Sequence, residues 1–250
     1  MAKHIFQRSI FLRDLPTLGG WWEASDATDL GGWWEASDAT DPASWAGKEG
    51  ALLVQAEVDL RPVIADDTTG EQSLIFDGAD KMTFAPGGFA PYNDKGFTVI
   101  AGIADMDKTT NSFLFSLGNT ASSSDYIGLQ AFPTTFGNPA TSVVRVVGRD
   151  TAAALALSPN TPNPNNELLA ALTFNGALID VWVNGEKTVA GYDPGWGAVT
   201  FDQINIGALV RTGDNFYLDA AYRVFGIFSE PLSDDKMRQI NTYCQKEKGF

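Results

Sequence analysis

The residues able to do chemistry are mostly carboxylates. The chain carries 31 Asp and Glu against 17 Lys and Arg, with one His and one Cys. Two carboxylates hydrolyse a glycosidic bond when they flank it at about 5–9 Å. On one strand they must occupy alternate positions, so that both side chains enter the same cleft. The nearest approach is EASDATD, at 23–29 and again at 35–41. Its Glu-to-Asp spacing places the two carboxylates on opposite faces of a strand, and no ExDxxE pattern occurs. The stretch reads as a turn. Calcium needs only several converging oxygens, so a structural calcium site stays open there. His4, the single histidine, stands beside the N-terminus. That excludes a Ser-His-Asp triad, a Cys-His pair and a histidine-rich zinc site from the body of the chain. No GxxxxGK[ST] loop occurs, and no GxGxxG joins a strand to a helix. No catalytic residue, metal ligand or cofactor is assigned, and the chain is expected not to be an enzyme.

Binding residues are better represented. GYDPGWGAV (191–199) sets Tyr192 and Trp196 among Gly, Pro and Asp. An aromatic ring in a polar loop is the usual grip on a sugar face, so these two are the candidate ligand-binding residues. The alternative is that Trp196 folds back over the edge of the domain. RTGDNFYLD (211–219) is a second polar turn with aromatic residues.

The net charge of −14 repels phosphate and anionic lipid, so neither nucleic acid nor membrane is an expected partner. The charge is uneven. Residues 1–17 hold Lys3, Arg8 and Arg13 against Asp14. This basic arm can dock on an acidic surface or simply be solvated. With Cys244 alone, no internal disulfide forms. Arg8 and Arg13 interrupt the apolar residues of MAKHIFQRSIFLRDLP, so no secretory signal is expected.

The elements that must position these residues are strands. SLIFDG (73–78), GFTVIAGIA (96–104), NSFLFSLGN (111–119), SVVRVVG (142–148), QINIGALV (203–210) and AAYRVFGIFS (220–229) are short β-branched or aromatic runs between turn signals. GFTVIAGIA has the continuous apolar character of a strand buried on both faces. In NSFLFSLGN the alternation places Phe113, Phe115 and Leu117 on one face. Asn-Gly at 175–176 and 184–185 suits type I′ turns and divides 167–192 into a three-stranded meander. At least ten strands at this spacing predict an all-β fold, a two-sheet antiparallel β-sandwich or jelly roll. One helix closes the chain. Ser233 is its N-cap, Asp234 and Asp235 sit at the positive end of its dipole, and Leu232 and Met237 form a hydrophobic staple. Met237, Ile240 and Cys244 share its apolar face, which is expected on the rim of the sandwich. Cys244 then serves as a small buried hydrophobe.

WWEASDATD, SWAGKEG (44–50), DLRPVI (59–64) and SLIFDGADKMTF (73–84) resemble the concanavalin A-like, laminin-G-type jelly rolls common in phage and bacterial surface proteins. Later pieces continue the resemblance in order: Phe97, Thr98 and Val99; Val181, Val183, Asn184 and Gly185; Ile206 and Gly207; then Leu232, Ser233, Tyr243 and Gly249. It covers about residues 18–250 and leaves 1–17 as a separate arm. The resemblance implies the fold more strongly than a function, because such domains bind glycans, bind proteins or serve as structural modules on particles. It carries over no catalytic or binding residue.

One feature stands outside that pattern. LGGWWEASDATD occurs at 18–29 and is repeated without change at 30–41. The second copy runs directly into PASWAGKEG and takes the position of the first strand. The extra copy, with Trp21 and Trp22, needs cover, since a tryptophan buries about 150–250 Å². With Arg8 and Arg13 it is the candidate assembly contact, to a second copy of the chain or to a larger particle. The leading expectation is a non-enzymatic virion component of a phage, a decoration, fibre or appendage module located on the particle among other virion proteins, homo-oligomeric and able to adhere to host glycans. The alternative is a lectin-like carbohydrate-binding module. A sandwich glycoside hydrolase ranks last.

Overall fold

A computed structural model describes residues 30–36, 39, 41–46, 52–84, 96–107, 109–134, 142–150, 155–163, 167–195, 201–212, 215–228 and 230–250. In chain order the strands are β1 Leu30–Glu35, β2 Ser44–Ala46, β3 Leu52–Val54, β4 Val63–Asp66, β5 Gln72–Asp77, β6 Met82–Phe84, β7 Phe97–Ala104, β8 Ser112–Gly118, β9 Tyr126–Pro133, β10 Ser142–Arg149, β11 Leu155–Leu157, β12 Thr161–Pro162, β13 Leu168–Phe174, β14 Ile179–Val183, β15 Glu186–Tyr192, β16 Gln203–Ile206 and β17 Asp219–Phe228. Helix α1 spans Asp234–Glu247. The strands form two antiparallel sheets. One has eight strands in the order β15-β14-β13-β7-β17-β5-β4, with β1 also on β17. The other has nine, in the order β11-β10-β9-β8-β16-β6-β3-β2, with β12 also on β10. The all-β sandwich with a C-terminal helix is therefore the observed architecture.

Alternation explains the core. Phe97, Val99, Ala101 and Ile103 of β7 point between the sheets, as do Leu168, Ala170, Leu172 and Phe174 of β13. From the other sheet they meet Phe115, Leu117, Ile127, Leu129, Val144, Val146, Ile204 and Ile206. The Tyr222 hydroxyl crosses this core and donates to the Leu114 carbonyl. β7 is buried along its whole length because its second face is also covered. There Ile100 joins Leu169, Ala171, Trp182, Val224 and Phe228 beneath Met237, Ile240 and Cys244 of α1. The helix thus lies across the outer face of the eight-stranded sheet, not on the rim as its short apolar stripe suggested. The open face of the sheet offers more apolar area than a rim, and each large side chain buried there contributes about 1.5–3 kcal/mol. Ser233 Oγ accepts from the Lys236 amide as the N-cap, and Leu232 and Met237 are both buried. Cys244 is fully buried and free.

Two local expectations are corrected. Asn184 (φ 49°) and Gly185 (φ 83°) form the two-residue turn with positive φ at both positions that joins β14 to β15. The earlier Asn-Gly does not form such a turn. Asn175 Oδ1 accepts from the Ala177 and Leu178 amides, so residues 175–178 make a wider Asx-type loop. In β8 the register shifts between Phe113 and Phe115, a bulge that turns Phe113 to the outer face. Phe115 and Leu117 stay in the core, while Phe113 joins Tyr126, Val147 and Leu209 outside it. Six strands of four residues or fewer, β2, β3, β4, β6, β11 and β12, add to those visible as sequence runs.

The second WWEASDATD copy supplies β1. It pairs antiparallel to β17, from Leu30 against Phe228 to Glu35 against Val224. Ala36 and Ala39 follow into the core, and Gln72 Nε2 donates to both of their carbonyls at 2.9 and 3.1 Å. The first copy, with Trp21 and Trp22, and the arm with Arg8 and Arg13 lie outside the described residues.

Candidate functional site

The loop expected to bind ligand is only partly described. Tyr192 closes β15 opposite Ile179, half-buried against the main core, so its ring belongs to the sandwich edge. Trp196 lies outside the described residues. The turn at Asp41 is built by its own carboxylate, which accepts from the Ala43 amide at 2.8 Å and the Ser44 hydroxyl at 3.4 Å. Among the described residues no group of three or more His, Cys, Asp or Glu is arranged to hold a metal ion.

A different surface brings binding chemistry together. Ile127, Leu129 and Ala131 of β9 and Val144 and Val146 of β10 face the core, so Tyr126, Gly128, Gln130 and Phe132, with Arg145, Val147 and Arg149, face outward. Registers place Phe113 opposite Gln130 and Gln130 opposite Arg145, one row across three strands. Opposed residues of such a row stand about 4.5–5.5 Å apart at Cβ. The ring of Phe113 lies over Gly128, where a Cβ would come within 2.6 Å of it, so only glycine leaves room. Phe216 covers Phe113 with ring centroids 6.1 Å apart and planes at 54°. Phe216 is 41% exposed and its backbone sits at φ 55°. That conformation is strained for a bulky residue, and it is held by the Phe113 amide donating to the Phe216 carbonyl at 3.0 Å and by the Leu209–Asn215 bridge.

At the other end of the row, Arg145 Nε and Nη2 both donate to Gln130 Oε1, at 3.2 and 3.1 Å. Its guanidinium carbon stands 4.0 Å from the Phe132 ring centre. Arg145 and Phe132 are half-buried. Burial pulls the Arg145 pKa below its ordinary value. An aromatic platform beside fixed, planar hydrogen-bonding groups is the composition of a small-ligand site. Sequence reasoning singled out none of these residues. The available signal was Arg145 itself, a charge inside the valine run SVVRVVG. Phe216 lies in the polar aromatic turn RTGDNFYLD, but its conformation comes from tertiary contacts and was not visible there.

Several carboxylates elsewhere are engaged within the fold. Arg223 Nε donates to Asp67 Oδ2 at 2.6 Å, with both side chains almost fully buried. Arg223 also donates to Thr69 Oγ1 and to the Lys248 and Gly249 carbonyls, which ties the C-terminus to the sheet. Burial raises the Asp67 pKa, but hydrogen bonds from Arg223, Thr69 and Ser73 outweigh it and hold the carboxyl well below the usual range. Asp80 is the reverse: burial, followed by the charge of Asp77, pushes it up to about 6. Asp125 directly precedes Tyr126 and Asp150 directly follows its strand partner Arg149, both are buried, and burial together with the Asp150 charge raises the Asp125 pKa. Asp67 with Arg223 and Asp125 with Asp150 are each brought together from separate segments, which is why no spacing rule exposes them.

No protein-family model and no curated protein matches the chain. Solved structures do. A Trypanosoma rangeli sialidase in complex with sialic acid superposes with a TM-score of 0.59 at 15% identity, over 88% of this chain and 33% of that one. The binding domain of botulinum neurotoxin DC in complex with rat synaptotagmin II gives 0.61 at 13% identity, over 88% and 52%. A botulinum neurotoxin type C structure, described as dependent on two ganglioside molecules for cell entry, gives 0.60 at 12% identity, over 89% and 53%. The chain spans about a third of the sialidase and about half of each toxin chain. These likenesses show a β-sandwich fold.

Proposed function

We propose that the chain is a non-catalytic carbohydrate-binding module whose site is the outer face of the nine-stranded sheet. The observation that carries the reading is Phe216, an exposed aromatic ring held at φ 55° on Phe113, beside the Gln130–Arg145–Phe132 group. A ring presented this way stacks on the apolar face of a sugar, while Arg145, held by the buried Gln130, fixes its hydroxyl groups. The comparisons support a glycan ligand, since one similar structure holds sialic acid and another is described as engaging gangliosides. Two carboxylates facing each other across an open cleft would be needed for hydrolysis. The described acidic pairs instead sit at strand ends or in buried ion pairs. Display on a phage particle, with homo-oligomeric assembly through Arg8, Arg13, Trp21 and Trp22, is the second reading, and it rests on the sequence resemblance and on the duplicated tryptophan segment. The test is a glycan array followed by titration of the strongest ligand. Phe216→Ala should weaken binding by about tenfold, corresponding to ~1.4 kcal/mol, while Tyr192→Ala leaves it unchanged. Equal binding by wild type and Phe216→Ala would remove this face as the site.

A further inference from the structure

We infer that the ligand is a carboxylated sugar and that Arg145 receives its carboxylate. This rests on the carbohydrate-binding reading above. Half-buried Arg145 is placed unlike Arg223, the arginine that is buried among the described residues. Arg223 meets the Asp67 carboxylate, the Thr69 hydroxyl and two backbone carbonyls, and its charge is compensated within the fold. Arg145 meets one neutral amide oxygen, that of Gln130, and takes part in none of the ion pairs among the described residues. Half-buried Arg61 likewise donates to neutral oxygens, those of Gln55 and Ala56, so what distinguishes Arg145 is a neutral partner together with its place beside the Phe132, Phe113 and Phe216 rings.

The geometry selects what can neutralise it. Gln130 Oε1 engages the side edge of the guanidinium, Nε and Nη2. The end edge, Nη1 with the second hydrogen of Nη2, has no acceptor among the described residues. That edge is a fork matched to the two oxygens of a planar carboxylate. Phe132 beneath and Gln130 beside hold the plane of the fork fixed, so little side-chain entropy is lost on binding. Phe113 and Phe216 lie along the same row, on the far side of Gln130, where the sugar ring extends from its carboxylate. The overall charge of −14 works against long-range attraction of anions. Recognition is therefore local, and only an anion whose sugar also stacks on Phe216 gains enough contact. Free phosphate and inorganic sulfate lack that second contact.

The experiment is calorimetric titration of the full chain with the methyl glycosides of N-acetylneuraminic acid and glucuronic acid, each beside its methyl ester, and with methyl galactoside and inorganic sulfate as further probes. The expected result is that one sugar acid binds at least tenfold tighter than its own ester, and that sulfate does not bind. Arg145→Gln abolishes the difference between acid and ester, and Arg145→Lys, which keeps the charge without the fork, restores only part of it. Phe216→Ala weakens acid and ester alike. If acid and ester bind the wild type equally and Phe216→Ala weakens both, the carboxylate assignment is wrong and the carbohydrate site stands. If no sugar or glycan binds, both fail. Should Arg145→Gln fold poorly, the acid-against-ester comparison on the wild type decides alone.

Discussion

Outside the eight-stranded sheet, Ile100, Leu169, Ala171, Trp182 and Val224 lie under α1, and Arg223 of β17 is closed into an ion pair. Outside the nine-stranded sheet, no helix among the described residues covers the aromatic cluster, Phe216 stays 41% exposed, and Arg145 meets the neutral Gln130 amide and the Phe132 ring. Both faces carry aromatic rings and at least one arginine. What separates them is how each is finished: the first is closed under α1, and the second buries Phe113, Tyr126, Val147 and Leu209 but leaves the Phe216 ring exposed and Arg145 without an anion among the described residues. In the proposed reading the same residue types serve stability on one side and recognition on the other.

The comparison is broken most strongly by matched truncations. Trp182→Ala should destabilise by about 3–5 kcal/mol, read by urea denaturation, with sugar affinity retained in the folded fraction. Phe216→Ala should cost under about 1 kcal/mol and lose affinity instead, because its ring is partly in water and its backbone strain is not improved. The arginines give the second pair. Asp67→Asn strands the Arg223 charge and should cost about 3–5 kcal/mol, whereas Arg145→Met should change stability by about 1 kcal/mol or less.

Acid titration sharpens the contrast on the sealed side. The Asp67 carboxyl is held below its unfolded value, so its stabilisation is complete above about pH 4 and fades as pH falls through the folded value. Asp80 acts with the opposite sign. Its folded value near 6 lies above 3.8, so stability falls as pH rises between the two. Asp80→Asn should therefore raise stability at pH 7 by ~1–3 kcal/mol and have little effect below pH 4, measured by thermal melts across pH.

The smallest expected effect concerns the duplication. Removing 18–29 or 30–41 leaves the same shortened chain, with one LGGWWEASDATD before PASWAGKEG. That chain still supplies β1 for β17, with the Ala36 and Ala39 carbonyls or their equivalents on Gln72. Its melting temperature should match the parent within a few degrees, about 1 kcal/mol. Light scattering on both forms then reads assembly separately from folding. A defined oligomer that becomes a monomer on deletion assigns the extra copy to subunit contact.

How much was legible in the sequence follows from the range of each interaction. GFTVIAGIA, the 167–192 meander and the Ser233-capped helix are local patterns, and they are β7, β13–β15 and α1. The place where α1 docks was not legible, because Met237, Ile240 and Cys244 define a stripe without naming the surface it covers. The Phe113 bulge was hidden for a similar reason: strict alternation in NSFLFSLGN is broken by register with β9, a non-local cause. The site was the least visible part. Tyr192 belongs to a polar loop in sequence and to the sandwich edge in the fold, while Phe113, Gln130, Arg145 and Phe216 come from four separate segments.

The most direct test of the account is residue-resolved NMR of the full chain titrated with the tightest sugar ligand. The account predicts that shifts concentrate at Phe113, Gln130, Phe132, Arg145 and Phe216 and leave Trp182 and α1 unmoved. Shifts centred on Tyr192 or on the helix-covered face would contradict it.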